Sequence, residues 1–262
     1  MRHILPIAWL RKIVPTAYNT SVQWLELTKS FNVAQLYNAV TITLPTTPQE
    51  VSDSASCAAS VGIKVQARSG GHSYASYSTG GGNGSLIVDL RVFHTISVND
   101  NLETLNLDLS LYTQGKRALP HGTCPDVGIG GHFIHGGYGY ISRAWGLAMD
   151  TIIGLDVVLA NGSFIHASAS NYLDIYFALR GAADSFGIIT TFYLRTLAAE
   201  TKVVVFSVSM PAVLRSSSAA AHGFLKLQEF ALISPHMTRN LTLGIVIEGV
   251  KEFILKGRYL GD

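Results

Sequence analysis

HGTCPDVGIGGHFIHGGYGY, residues 121–140, is the stretch of this chain that most constrains its fold. It is dense in glycine, and it holds three histidines and one of the two cysteines in the sequence. Glycine loses more backbone freedom on folding than any other residue, so this density needs a structural reason. We expect the backbone here to approach another group closely or to take positive φ angles, with either a cofactor lying against the loop or a metal ion bound inside it.

The composition excludes several classes of function. A chain of 262 residues with 48% hydrophobic residues can bury the core of one large domain, or of one and a half ordinary ones. The net charge is +2 and the basic residues are scattered, which argues against a nucleic-acid surface. The apolar runs are too short to span a bilayer. Two cysteines are too few for a disulfide scaffold.

The N-terminus has features of a secretory leader without a clear cleavage site. A basic start precedes a short apolar run, Ile4–Leu10, and we interpret it as a weak leader or a misplaced start codon. Four Asn-x-Ser/Thr sequons favour a secretory route, and they begin at Asn19, Asn83, Asn161 and Asn240.

A strand–helix–strand unit precedes the glycine-rich stretch. Val40–Leu44 alternates as a strand, and Thr47, Pro48 and Glu50 carry the signals of a helix start. The helix should run to about Val61 and present one apolar face, made of Val51, Ala55, Ala58 and Ala59.

The second strand of this unit ends in the heptapeptide RSGGHSY, Arg68–Tyr74. Consecutive Ser-Gly-Gly amides after a strand can form a concave nest of N–H donors that suits a pyrophosphate. The alternative is a tight turn with a chance histidine. The segment is not a dinucleotide fingerprint, because no GxGxxG follows a strand and opens a helix here.

The rest of the chain predicts further strands, and its pattern of predicted elements changes beyond Thr201. Thr151–Leu159 is a strand, and Asn161-Gly162 is a hairpin signal. Beyond Thr201 come a strand, a helix from about residue 213 to 230, and two more strands. We expect an N-terminal segment over residues 1–38, a first domain over 39–198 and part of a second domain over 199–262.

Two interpretations of the glycine-rich stretch remain open from the residues alone. His121 with Cys124, and His132 with His135, have spacings that imitate zinc ligands. Against a zinc site, both pairs lie in one loop without a hairpin framework to close a tetrahedron. The other interpretation joins the stretch to Arg68–Tyr74 as a cofactor site without a metal.

Six motifs in order carry a family resemblance, namely RSGGHSY, HGTCPDVGIGGH, GGYGYISRAWGLAMD, VVLANG, ALRGA and SFGIIT. Together they resemble the berberine-bridge-enzyme-like FAD-linked oxidases of the vanillyl-alcohol-oxidase (p-cresol methylhydroxylase) superfamily, and most of all fungal gluco- and chitooligosaccharide oxidases. The similarity covers residues 40–200 well. It implies an α+β fold, with a two-subdomain FAD-binding domain of the p-cresol-methylhydroxylase (PCMH) type followed by the beginning of an antiparallel-sheet substrate domain.

The resemblance also implies roles for single residues. His72 matches the histidine that bonds the methyl group at flavin position 8, and Cys124 matches the cysteine that bonds ring carbon 6. Val127 lies where the family carries its oxygen gate, and Tyr74 matches a tyrosine near the substrate. The implied cofactor contacts comprise Pro45, Thr46, Thr47, Arg68, Ser69, Gly70, Gly71, His72, Ser73, Cys124, Val127, Gly128, Gly130, Gly131, His132, Gly187, Ile188 and Ile189.

For function, the resemblance implies a secreted oxidoreductase that oxidises a carbohydrate or another alcohol by hydride transfer to covalently bound FAD, with molecular oxygen as acceptor. It implies no metal, nucleic-acid partner, membrane span or protein partner. The family's general base is a tyrosine of a C-terminal segment not matched here, and the segment between Thr104 and Gln114 is shorter than in relatives. An inactive FAD-binding fragment is therefore the main alternative, and a zinc-binding module is a remote one.

Overall fold

The computed structural model of the chain describes residues 13–97, 116–249 and 252–261. The chain divides into two compact units. Unit 1 comprises Met1–Leu119, Cys124–Gly137 and Met149–Leu197, and unit 2 comprises Pro120–Thr123, Tyr138–Ala148 and Ala198–Asp262. The glycine-rich stretch 121–140 thus contributes residues to both units. The chain passes from unit 1 into the long last segment of unit 2 between Leu197 and Ala198, next to the predicted boundary at residue 198.

Strands and helices are interspersed along the described chain. The strands are β1 (Thr16–Ala17), β2 (Thr41–Thr43), β3 (Val65–Arg68), β4 (Leu86–Asp89), β5 (Arg117–Ala118), β6 (Ile152–Leu159), β7 (Phe164–Ser168), β8 (Gly187–Leu194), β9 (Leu197–Ala198), β10 (Val203–Ser209), β11 (Leu241–Glu248) and β12 (Glu252–Leu260). The helices are α1 (Trp24–Leu27), α2 (Pro48–Ser60), α3 (Ile129–His132), α4 (Ser142–Trp145), α5 (Leu173–Ala182) and α6 (Ser217–Ile233). None of the helices in these ranges is long and apolar enough to cross a membrane.

The first sheet of unit 1 has the strand order β1-β2-β4-β3. β4 pairs in parallel with β2 and with β3, whereas β1 runs antiparallel to β2. All four residues of β4 are buried, as expected for a central parallel strand covered on both faces. Because β1 extends this sheet, Thr16 and Ala17 of the predicted N-terminal segment are part of it.

The start of α2 confirms the predicted capping signals. The Thr47 hydroxyl accepts a hydrogen bond from the Glu50 N–H at 3.2 Å, and Pro48 is the first helical residue. The Glu50 carboxylate reaches back to the N–H of Thr46 at 2.6 Å, one residue before the cap. These bonds satisfy two main-chain donors at the helix start and fix the direction of the chain leaving β2.

The predicted apolar face of α2 is confirmed at Val51, Ala55 and Ala58 and is wrong at Ala59, which is exposed. The buried side of α2 also includes Ser52, Ser54 and Cys57. This face packs in one apolar cluster with β4 and with residues of β6 and β8, namely Leu86, Val88, Val158 and Ile188.

The second sheet of unit 1 has the order β7-β6-β8 and is antiparallel. β6 and β7 are joined at Asn161-Gly162, as predicted. Gly162 has a φ of 82°, and the Asn161 side chain accepts a hydrogen bond from the Ser163 N–H at 2.9 Å. Since Val158 and Ile188 pack against α2 and β4, a single core joins the two sheets of unit 1.

Unit 2 contains an antiparallel sheet with the order β10-β12-β11 and the helix α6. The predicted helix begins later than expected, because Pro211–Leu214 forms a 3₁₀ turn and Ser216 caps α6 by accepting the Ala219 N–H at 3.2 Å. An apolar cavity of about 500 Å³ in this unit is lined by α6 residues such as Phe230 and by sheet residues such as Phe253. The predicted α+β class is confirmed. The segment between Thr104 and Gln114, which is predicted to be shortened, lies entirely outside the described residues.

Candidate functional site

The loop that follows β3 begins with a buried arginine. The Arg68 guanidinium donates hydrogen bonds to the carbonyl oxygens of Leu27 and, at 3.1 Å, of Lys29. Its Nε lies 3.8 Å from the buried Asp89 carboxylate. Burial lowers the pKa of Arg68, and the attraction of Asp89 opposes this shift. The side chain is committed to these protein groups, so a contribution of Arg68 to cofactor binding would come from its main chain.

His72 is held by an aromatic contact further along this loop. Its imidazole stacks on the ring of Phe31, with centroids 4.4 Å apart and 25° between the planes. The same Phe31 ring meets Tyr74 edge to face at 5.4 Å. Asn32 Nδ2 donates a hydrogen bond to the Tyr74 carbonyl oxygen at 2.7 Å. The imidazole is therefore oriented while it stays half-buried, and the Tyr74 side chain is 78% exposed.

Cys124 lies at the start of a second loop. The Val127 N–H donates to the Cys124 carbonyl oxygen at 3.4 Å, which closes a turn between them. Gly128 then has extended backbone, with φ −72° and ψ 143°, and α3 begins at Ile129. The Cys124 thiol is free and exposed, and Val127 is half-buried. The turn leaves the thiol accessible to a ligand.

The two loops touch backbone to backbone. A Cβ added to Gly70 would lie 2.2 Å from Gly128 N and 2.4 Å from Asp126 O. A Cβ added to Gly128 would lie 2.2 Å from both Gly70 N and Ser69 Oγ. In addition, the Gly130 N–H donates to Ser69 Oγ at 3.3 Å. Only residues without a side chain permit this approach, so the structure brings the loop of His72 against the loop of Cys124.

Two other groups of predicted cofactor contacts lie on different elements. Thr46 and Thr47 are exposed beside the start of α2, and Pro45 is buried. Ile188 and Ile189 are buried in β8. A Cβ added to Gly187 would lie 2.6 Å from Val157 Cγ1, so the sheet by itself requires glycine there. Flavin contacts of these residues stay predictions.

The remaining predicted contacts belong to the two loops. Gly71 has a φ of 79°, which turns the chain ahead of His72, and Ser73 Oγ accepts the Tyr77 N–H at 3.1 Å. Gly131 and His132 lie in α3, and a Cβ added to Gly131 would have no neighbour within 4 Å. The glycines therefore differ in kind, since Gly128 is needed for contact between the loops and Gly131 faces open space.

Two histidines of the glycine-rich stretch bond to protein groups. His135 Nδ1 lies 2.8 Å from the Gly131 carbonyl oxygen, and its Nε2 lies 3.1 Å from Asp184. His121 Nδ1 lies 2.6 Å from the Gly122 carbonyl oxygen. Across residues 13–97, 116–249 and 252–261, no three His, Cys, Asp or Glu side chains form a group that could hold a metal ion. The zinc alternative therefore has no ligand cluster to support it in these ranges.

These features fit an FAD held by the two loops. His72 offers a ring nitrogen and Cys124 offers a thiol, and both atoms are nucleophiles able to bond carbon. The main-chain N–H groups of the Ser-Gly-Gly turn suit a pyrophosphate. The open space beside Gly131 leaves room for a ligand next to α3.

Sequence reasoning assigned no role to residues 1–38, yet Leu27, Phe31 and Asn32 contact the His72 loop directly. No apolar periodicity marks them. One signal could have indicated such a partner, since the buried Arg68 needs acceptors and the loop itself supplies few.

Comparison with known proteins agrees with this geometry. Residues 40–168 match the family described as FAD binding domain. The chain is 40% identical over 258 residues to the xylooligosaccharide oxidase of Thermothelomyces thermophilus, covering 95% of this chain and 51% of that protein. It matches the structure of xylooligosaccharide oxidase from Myceliophthora thermophila C1 in complex with xylobiose with a TM-score of 0.90 and 36% identity, over 98% of this chain and 56% of the other.

A second solved structure bears on the cofactor. It is a glucooligosaccharide oxidase from Acremonium strictum, described by its 6-S-cysteinyl, 8α-N1-histidyl FAD. The TM-score is 0.89 at 30% identity, over 98% of this chain and 55% of the other.

Fold and site together define an FAD-binding protein. The chain contains an FAD binding domain over residues 40–168, and it is similar to fungal oligosaccharide oxidases and to a plant berberine bridge enzyme-like protein. It spans about half the length of the curated relatives it matches.

Proposed function

We propose that this chain forms the FAD-holding part of an oxidase that acts on a carbohydrate hydroxyl, with FAD bonded to both His72 and Cys124. The backbone contact of Gly70 with Gly128 carries the proposal, because it places the loops of these two nucleophiles side by side. The substrate class is supported by the similarity to oligosaccharide oxidases.

Each protein group has one task in the attachment. His72 bonds the carbon of the methyl group at position 8, and Cys124 bonds ring carbon 6. In each link the nitrogen or sulfur gives up a proton, one hydrogen leaves the flavin carbon, and the electron pair passes to molecular oxygen, which becomes hydrogen peroxide. Two links prevent loss of the cofactor and raise its potential, which suits the oxidation of an alcohol.

Bound FAD supplies a hydride acceptor that oxygen can reoxidise. The main chain from Ser69 to Ser73 binds the pyrophosphate through its N–H groups. Val127 borders the flavin as the oxygen gate, and the exposed Tyr74 contacts the substrate as an auxiliary group. The general base is assigned to no residue of this chain.

The attachment is tested on protein produced with FAD, by acid precipitation, absorbance and intact mass. We expect flavin in the pellet and a mass increase of one FAD. His72→Ala and Cys124→Ala should each keep flavin through the other link, and the double variant should release it. Cys57→Ala is the matched control and should keep both links, because Cys57 is buried in the core of unit 1. A colourless wild-type pellet refutes the proposal.

A second candidate function is FAD binding without turnover. The family match over residues 40–168 is to an FAD binding domain, and this match supports binding of the cofactor without bearing on turnover. Release of hydrogen peroxide when the flavin-bound protein meets xylo-, cello- or chitooligosaccharides excludes this candidate. Covalent flavin without peroxide from any of them supports it.

Secretion is part of the proposal. The asparagines of the four sequons are all exposed, as glycan attachment requires, and they are Asn19, Asn83, Asn161 and Asn240. Protein recovered from the medium of a eukaryotic host should lose mass on enzymatic deglycosylation. An unchanged mass removes this support.

A further inference from the structure

We infer that residues Leu27–Asn32, here called the clamp segment, position His72 for bonding to the flavin, and that the Phe31 ring sets the orientation of the imidazole. The inference rests on the proposed FAD attachment and adds a positioning residue to it. Phe31 lies in a part of the chain for which the sequence pattern indicates no function.

The clamp segment holds the His72 loop on both sides of the histidine. Before His72, the Arg68 guanidinium donates to the carbonyl oxygens of Leu27 and Lys29. After it, the hydroxyls of Ser30 and Ser76 are hydrogen bonded at 2.8 Å, and both side chains are buried.

Asn32 adds a third attachment, since its Nδ2 donates to the Tyr74 carbonyl oxygen at 2.7 Å. The main chain around His72 is thereby fixed over residues 68–76. Fixing the main chain leaves one freedom that matters for bonding, the rotation of the imidazole about its own side-chain bonds.

Phe31 restricts that rotation. The two rings are stacked at 4.4 Å and 25°, so the plane of the imidazole is set by the plane of the phenyl ring. The ring nitrogens of histidine lie in this plane, and their lone pairs therefore point in directions that Phe31 limits. Tyr74 supports the phenyl ring edge to face at 5.4 Å.

Burial does not account for Phe31. Its side chain is 47% exposed, so it contributes less to a core than a buried phenylalanine would. A flat ring in this place serves the stacking contact. Aromatic pairs of this kind shift the population of the stacked orientation by roughly three- to tenfold. We expect the rate of flavin attachment to change by the same factor.

The test uses the full chain with Cys124→Ala, in which His72 is the remaining attachment point. Flavin-depleted protein is mixed with saturating FAD, and acid-stable flavin is followed over time. Phe31→Ala and Phe31→Leu should attach flavin about three to ten times more slowly, because leucine keeps apolar bulk without a flat ring. Phe31→Tyr should restore the parent rate. Val33→Ala is the matched control, since Val33 is 80% exposed in the same region.

Non-covalent FAD binding and the unfolding temperature are measured on every variant, so that misfolding is separated from slow attachment. The inference is overturned if Phe31→Ala and Phe31→Leu attach flavin at the parent rate, or if Phe31→Tyr is as slow as they are. Absence of acid-stable flavin in the Cys124→Ala parent refutes the proposed His72 link itself, and that result is distinct from slowing at Phe31 alone.

Discussion

Gly128→Ala should force apart the two loops of the candidate site. The new Cβ would stand 2.2 Å from Gly70 N and Ser69 Oγ, which is about 1.2 Å inside ordinary contact at 3.4 Å. The serine hydroxyl can rotate away, but the Gly70 main chain cannot. The φ of Gly128 is −72°, so alanine meets no backbone strain there and the clash acts alone. Overpacking of this kind costs about 1–3 kcal/mol of stability.

Gly131→Ala is the matched control in α3, because its Cβ would have no neighbour within 4 Å. We expect it to leave the free energy of unfolding unchanged or slightly raised, since alanine favours helix over glycine by about 1 kcal/mol. Denaturant unfolding of both variants as flavin-free protein gives the free energy of unfolding. If Gly128→Ala and Gly131→Ala are equally stable, the assigned loop contact is wrong.

Four further predictions concern other groups. Arg68→Met should lower the free energy of unfolding by about 3 kcal/mol in a denaturant titration, because it removes charged hydrogen bonds to the carbonyl oxygens of Leu27, which is buried, and of Lys29; a loss below about 1 kcal/mol would contradict this. In flavin-free protein a thiol reagent should modify the exposed Cys124 quickly and Cys57 only on unfolding. Burial raises the pKa of the Cys57 thiol, so its contribution to stability is full below the ordinary thiol pKa and is lost as the pH rises through the raised pKa of the folded protein; a stability difference between Cys57→Ala and wild type that stays constant over this pH range is the contrary result. Gly139→Ala should unfold part of unit 2 in hydrogen exchange, because its Cβ would lie 1.7 Å from the His121 carbonyl oxygen; native protection there would disprove the contact.

Local signals predicted much of the fold. The cap at Thr47, the hairpin at Asn161-Gly162 and the strand at Thr151–Leu159 could be predicted from the sequence, because each depends on neighbouring residues. The later start of α6 was not, since Pro211–Leu214 takes a 3₁₀ turn that apolar periodicity does not distinguish from a helix.

For the candidate site, the residue types could be predicted from the sequence, and their spatial arrangement could not. His72 and Cys124 were selected by ordered motifs, and both lie on the loops that the structure places in contact. The clamp segment was missed because its contacts with the His72 loop span about 40 residues of chain, and no periodic pattern records such contacts.

The glycine-rich stretch 121–140 separates what the sequence determined from what the tertiary structure decided. Its composition alone indicated that the backbone must approach another group closely or take positive φ angles, because these are the conformations for which glycine is needed. Only the tertiary structure decided which group lies against each glycine. Gly128 clears the main chain of Gly70, and Gly139 clears the carbonyl of His121. Which partner a glycine clears depends on chain that is distant in sequence, so the partner is decided by folding and not by local pattern.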